Sequence, residues 1–121
     1  MLRLERRLRR SERVGMALTY QLEHVQAEEA LRAFVLADRS GLLVAAGPTA
    51  LDVEELSALC PLVAVGRVHP SAVAGTPAAL APVEVDGETL FLLSVGWSDE
   101  AAARGVARAA AGVRRILARA A

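Results

Sequence analysis

The sequence predicts an α+β fold, a small antiparallel β-sheet with helices on its faces, in the order α-β-β-α-(β)-β-β-α. Three observations predict it. Val83 to Gly96 (VEVDGETLFLLSVG) reads as a hairpin. In it Val83 and Val85 alternate with Glu84, and Asp86-Gly87 supplies a two-residue turn of the kind that tolerates positive φ. Leu90 to Val95 then runs as a nearly continuous apolar strand, the pattern of a strand covered on both faces. Second, both ends of the chain carry apolar residues at three- and four-residue steps, the period of an amphipathic helix. Third, Asp38-Arg39-Ser40-Gly41 is a turn between two short apolar runs.

Taken in order, Leu4, Leu8, Ser11, Gly15, Leu18, Leu22 and Val25 lie on one stripe of a helix from residue 2 to about 28. Gly15 weakens its middle by ~1 kcal/mol relative to Ala. Residues 1–12 are therefore expected to form an Arg-rich helical extension and residues 13–121 the domain proper. Leu31 to Asp38 (LRAFVLAD) is the first strand and Leu42 to Ala46 (LLVAA) the second. Asp52-Val53-Glu54-Glu55 has the form of a capping box, and Leu56, Leu59, Cys60 and Val63 line one face of the helix that follows. Pro61 lacks an N–H and is expected to kink or restart that helix. Gly66 to Pro82 is rich in Pro and Gly and reads as loop, with a short edge strand expected around Ser71 to Ala74. Ser98 is the expected N-cap of the last helix, Asp99 to about Arg119, with Asp99 and Glu100 at the positive end of its dipole.

A chain of 121 residues is enough for one domain with a substantial core. Its net charge of zero argues against general attraction to nucleic acid. The charge is unevenly spread. Residues 1–13 carry six Arg against two Glu, residues 104–121 carry five Arg and no acid, and the middle carries three Arg and twelve acids. Basic helical ends around an acidic body suit self-association or a charged protein partner. No apolar run approaches the roughly 18–20 residues of a membrane helix. Glu12, Arg13, Gln21, Glu23 and His24 interrupt what would be a signal-peptide core. A cytoplasmic protein without membrane insertion is the expectation.

The residue types that carry chemistry are sparse. Cys60 is the sole cysteine, which excludes an internal disulfide, and it has no basic neighbour in sequence to activate it. It reads as a buried structural thiol. His24 and His69 have no second ligand at metal-binding spacing. The carboxylates Asp52, Glu54, Glu55, Asp99 and Glu100 sit in first turns of helices, where capping accounts for them. No phosphate loop or dinucleotide fingerprint is present. The Arg-rich start lacks the interleaved aromatics of a single-strand nucleic-acid binder. Trp97, between a strand-ending glycine and an N-cap, reads either as a hydrophobic staple or as an exposed anchor for a partner.

FVLADRSGLLVAAG (34–47), DVEELSALCPLVA (52–64) and VEVDGETLFLLSVG (83–96), with the long final helix, resemble the Roadblock/dynein-light-chain family. Asp38 and Gly41 match that family's strand turn, and Gly96 its strand end; the resemblance covers residues 15 to 118. It implies a non-enzymatic module without cofactor or metal. Such a module forms homodimers and serves Ras-like small GTPases or their regulatory complexes, in bacteria those of polarity and motility. The same strand–turn–strand grammar occurs in GAF- and profilin-like domains. That alternative implies a small ligand held over the sheet, in a cavity lined by Phe34, Leu36 and Phe91. Under the leading reading the expected partner or dimer contacts are Leu56, Leu59, Cys60 and Val63 on the middle helix, with Trp97. On the last helix they are Arg104, Arg108 and Arg115.

Overall fold

The computed structural model describes residues 2–70 and 75–120, with side chains for 12–70 and 75–119. Seven elements follow one another: α1 (Leu2–Glu28), β1 (Ala33–Asp38), β2 (Leu43–Ala46), α2 (Val53–Ala64), β3 (Ala78–Val85), β4 (Glu88–Val95) and α3 (Asp99–Ala120). The four strands form one antiparallel sheet in the order β2-β1-β4-β3.

Strand alternation sorts the core into two layers. On one face Phe34 and Leu36 of β1 and Leu92 of β4 meet Leu18, Leu22 and Val25 of α1 and Val106, Ala109 and Val113 of α3. On the other face Ala33, Val35 and Ala37 of β1 and Phe91, Leu93 and Val95 of β4 meet Leu56 and Cys60 of α2. Each fully buried Leu in these layers contributes about 2 kcal/mol. Ser94 is the one buried polar residue of β4, and its Oγ donates to the Ala102 carbonyl at 2.5 Å, which ties the strand to α3.

The predicted caps and turns form by local hydrogen bonds. Asp52 Oδ1 accepts from the Glu54 and Glu55 amides at 3.1 Å each, and Ser98 Oγ accepts from the Ala101 amide at 3.1 Å. Asp38 Oδ1 accepts from the Ser40 and Leu42 amides at 2.8 and 3.0 Å, closing the turn that Gly41 completes at φ +90°. Asp86 and Gly87 both adopt positive φ, +51° and +79°, the geometry of a tight hairpin turn.

Two expectations are corrected. The helix α2 does not restart at Pro61; it runs unbroken to Ala64. Proline removes the donor for the Ser57 carbonyl, but it lies in the last turn. There Gly66 donates to Val63 at 3.0 Å and Arg67 to Leu62 at 2.9 Å in a Schellman closure. The hairpin's first strand begins at Ala78, five residues before Val83, and contains Pro82. It is an edge strand, where a missing N–H need not face a neighbour. The short extra strand expected around Ser71 to Ala74 lies outside the described residues.

Candidate functional site

Two helices cover one face of the sheet and a single twelve-residue helix, α2, covers the other. At 1.5 Å per residue α2 spans about 18 Å. Its inner stripe is spent on the sheet: Leu56 is 4% exposed, Cys60 0% and Val63 8%. These three residues, expected at a partner or dimer contact, are core residues of the protomer. A helix stripe of this hydrophobicity finds the sheet first, and burial there removes it from any outer surface. Leu59 is half-buried at the margin. The exposed residues of α2 are Glu54, Glu55, Ala58, Leu62 and Ala64, and Val65, which caps the helix, is 70% exposed; Ala58, Leu62 and Val65 follow one another at four- and three-residue steps. Ala58 packs directly under Gly41. The strip therefore starts at the β1–β2 turn, beside Leu42, which is 67% exposed.

The arginines of α3 divide by role. Arg104 Nε donates to Glu29 Oε1 at 2.9 Å, and Arg108 Nη1 to Glu29 Oε2 at 2.8 Å. Arg108 Nη2 also pairs with Glu28, whose other oxygen lies 2.7 Å from His24 Nε2. Arg104 and Arg108, expected to face a partner, thus clamp the end of α1 to α3 within the protomer. Arg108 holds the Glu28 carboxyl below its ordinary range, and Arg104 with Arg108 does the same for Glu29. Arg115 is exposed. Trp97 is 72% exposed with the Arg32 guanidinium 4.8 Å from its ring centroid. It is an outward platform at the end of β4 and no staple, because its ring lies away from the core beneath α3.

The cavity expected for a ligand-sensing domain does not assemble. Phe34 and Leu36 belong to the layer under α1 and α3, and Phe91 to the layer under α2, on opposite sides of the sheet. Burial pushes the Cys60 thiol up to about 12, so it is protonated and inert at neutral pH. Among the described residues no group of three or more His, Cys, Asp or Glu is gathered as a metal site. No helix among them is long and apolar enough to cross a membrane.

A second exposed apolar group, which the periodicity of the core stripe hides, lies on the opposite side of the sheet. Met16 and Tyr20 of α1, 58% and 64% exposed, and Val44 of β2, 39% exposed, line an open groove of about 510 Å³ between α1 and the sheet edge.

Neither a scan of protein-family models nor a search of curated proteins finds a match. Among solved structures, Myxococcus xanthus MglB is similar, with a TM-score of 0.64 and 13% identity over 88% of this chain and 92% of that one. At that identity the likeness shows the fold. The three helices and the four-stranded antiparallel sheet are those of the Roadblock/longin architecture.

Proposed function

We propose that the chain is a non-enzymatic, cytoplasmic, homodimeric Roadblock-type module that regulates or positions a Ras-like small GTPase of the polarity or motility kind. The observation that carries this reading is the near-complete overlap of its fold with that of MglB, 88% of one chain on 92% of the other. The surface supports it. Exposed apolar side chains on α2 and the adjoining turn, with Trp97 beyond the sheet's end, are what a protein partner would cover. Arg115 adds a cation on the far side for an acidic partner.

The test is binding to a purified Ras-like small GTPase of the polarity or motility kind. The purified chain is mixed with that GTPase loaded with GDP or with a non-hydrolysable GTP analogue, and complex formation is followed by light scattering and calorimetry. A complex that prefers one nucleotide state is expected. Failure to bind in either state overturns the reading.

A further inference from the structure

We infer that the groove between α1 and the β2 edge is a docking site for an amphipathic helix of a partner protein, one whose apolar stripe is flanked at both ends by Lys or Arg. The inference goes beyond the proposed function and does not depend on it. The groove lies on the α1 side of the sheet, whereas α2 lies on the other.

Four residues of α1 line the groove at steps of four, three and four: Glu12, Met16, Thr19 and Glu23. At about 100° per residue they fall within an arc of about 60°, the spacing of a helix–helix seam. The core stripe of the same helix, Leu18, Leu22 and Val25, is buried on another face. Met16 is 58% exposed, and Tyr20 and Val44 beside the seam are 64% and 39% exposed. The middle of the groove is therefore apolar and uncovered in the protomer.

Both ends of the seam are acidic. Glu12 and Glu23 are exposed, and neither has an ion-pair partner among the described residues. They differ in this from Glu28 and Glu29, whose carboxylates are taken by His24, Arg104 and Arg108. Glu12 and Glu23 stand about 16 Å apart along the helix. Arg13 lies about 100° further round α1 and is not part of the groove lining.

The sign and placement of these charges select the occupant. A nucleic acid or an anionic membrane surface is repelled at both ends. A second copy of the same seam is disfavoured in either direction. Parallel, it sets Glu12 on Glu12 and Glu23 on Glu23; antiparallel, it sets Glu12 on Glu23 twice. An added strand is disfavoured too. The β2 edge has four residues and an irregularity at Val44, since Leu36 pairs with Ala45 and Ala37 with Leu43, and such a bulge blunts an edge. What complements an apolar centre between two carboxylates at helical spacing is a helix of the opposite pattern: cation, apolar, apolar, cation at the same steps.

The probe is a synthetic, acetylated and amidated peptide of Ala and Gln that carries Lys, Leu, Leu and Lys at steps of four, three and four. A second peptide has Glu in place of both Lys. Amide chemical shifts of the full chain, followed through titration, give the contact residues and the dissociation constant. The chains are wild type, E12K, E23K, E12K/E23K and M16D, with circular dichroism confirming the fold of each. The Lys peptide is expected to become helical on binding wild type at low salt, and to shift residues 12–23 and Val44. Each single reversal should weaken it roughly tenfold, because it sets like charges together at one end. M16D should abolish binding. The double variant should reverse the preference and take the Glu peptide at the same residues, which a folding defect could not produce. Absence of binding to wild type at millimolar peptide overturns the proposal, as do shifts centred outside the groove or affinities unchanged in the variants. Self-association of the wild type that M16D abolishes assigns the groove to a second copy and overturns it. Loss of GTPase binding in M16D assigns the groove to the GTPase and also overturns it, while the proposed function stands. Peptide binding at the groove in a chain that binds no GTPase upholds the docking site and overturns the proposed function alone.

Discussion

Arg108 Nη1 lies 2.8 Å from Glu29 Oε2, although the two residues are 79 positions apart in the chain. With Arg104 and Glu28 they join the end of α1 to the first turns of α3, the two helices that share one face of the sheet. The pairing also explains why the basic last helix and the acidic body coexist: part of the charge of one neutralises the other.

This network gives stability a sign with pH. Glu28 and Glu29 have carboxyls lowered by their arginine partners, so the stabilisation is present above the ordinary Glu value of about 4.3 and is lost as pH falls through the lowered values. Arg108→Ala should therefore lower the melting temperature at neutral pH. The difference from the unsubstituted chain should shrink toward zero in acid, and in high salt because the pairs are solvent-accessible. Thermal melts across pH and salt check both.

The turn at Gly41 is the point where β1, β2 and α2 converge. A Cβ there would stand 3.1 Å from Ala58 Cα and 3.2 Å from the Ala58 carbonyl oxygen, on a backbone at φ +90°. Both neighbours are helix backbone and cannot rotate aside. Gly41→Ala should destabilise by about 2 kcal/mol or more, combining strain with displacement of α2. Gly87 also has positive φ, +79°, but faces open space, so Gly87→Ala should cost only the conformational part, about 1 kcal/mol. Urea unfolding of the pair separates the two contributions.

What could be read in the sequence is what local chemistry decides. The Asp38 turn, the Asp52 and Ser98 caps and the Asp86-Gly87 hairpin each form among residues a few positions apart, and each is present. The start of β3 was obscured because Ala78-Ala79-Leu80-Ala81-Pro82 has weak strand preference and ends in a breaker; an edge position tolerates both. Periodicity identified Leu56, Cys60 and Val63 as one stripe but could not say whether sheet or partner would cover it. The roles of Arg104 and Arg108 depend on contacts across most of the chain, which no local pattern encodes.

Cys60 supplies a second pH prediction. Its thiol is fully buried and donates to the Leu56 carbonyl at 3.4 Å, and its value is raised to about 12 from the ordinary 9.0. A raised value favours the protonated form in the folded state. The contribution is complete below pH 9.0 and is lost as pH rises toward about 12, where the unfolded chain ionises first. The native protein should resist thiol reagents at pH 8 and react once unfolded. Cys60→Ala should remove the alkaline destabilisation while costing about 1–2 kcal/mol at neutral pH for the space it leaves. Thiol titration and alkaline melts measure each effect.

The exposed strip at the end of α2 and the buried stripe of the same helix can be told apart by substitution. Leu62 and Val65 are 38% and 70% exposed, so an aspartate at either site meets water and should leave the melting temperature nearly unchanged. Leu56, one turn and a half earlier, is 4% exposed against the sheet, and an aspartate there buries a charge with no partner and should unfold the chain. If the GTPase covers the strip, Leu62→Asp and Val65→Asp should each weaken its binding at least about tenfold, because the charge must be desolvated at the contact. Trp97→Ala, at the exposed end of β4, provides the comparison: its effect on binding shows whether the contact reaches beyond α2. Calorimetry on these folded variants reads the result, and unchanged affinity in both α2 variants would remove the strip from the GTPase contact.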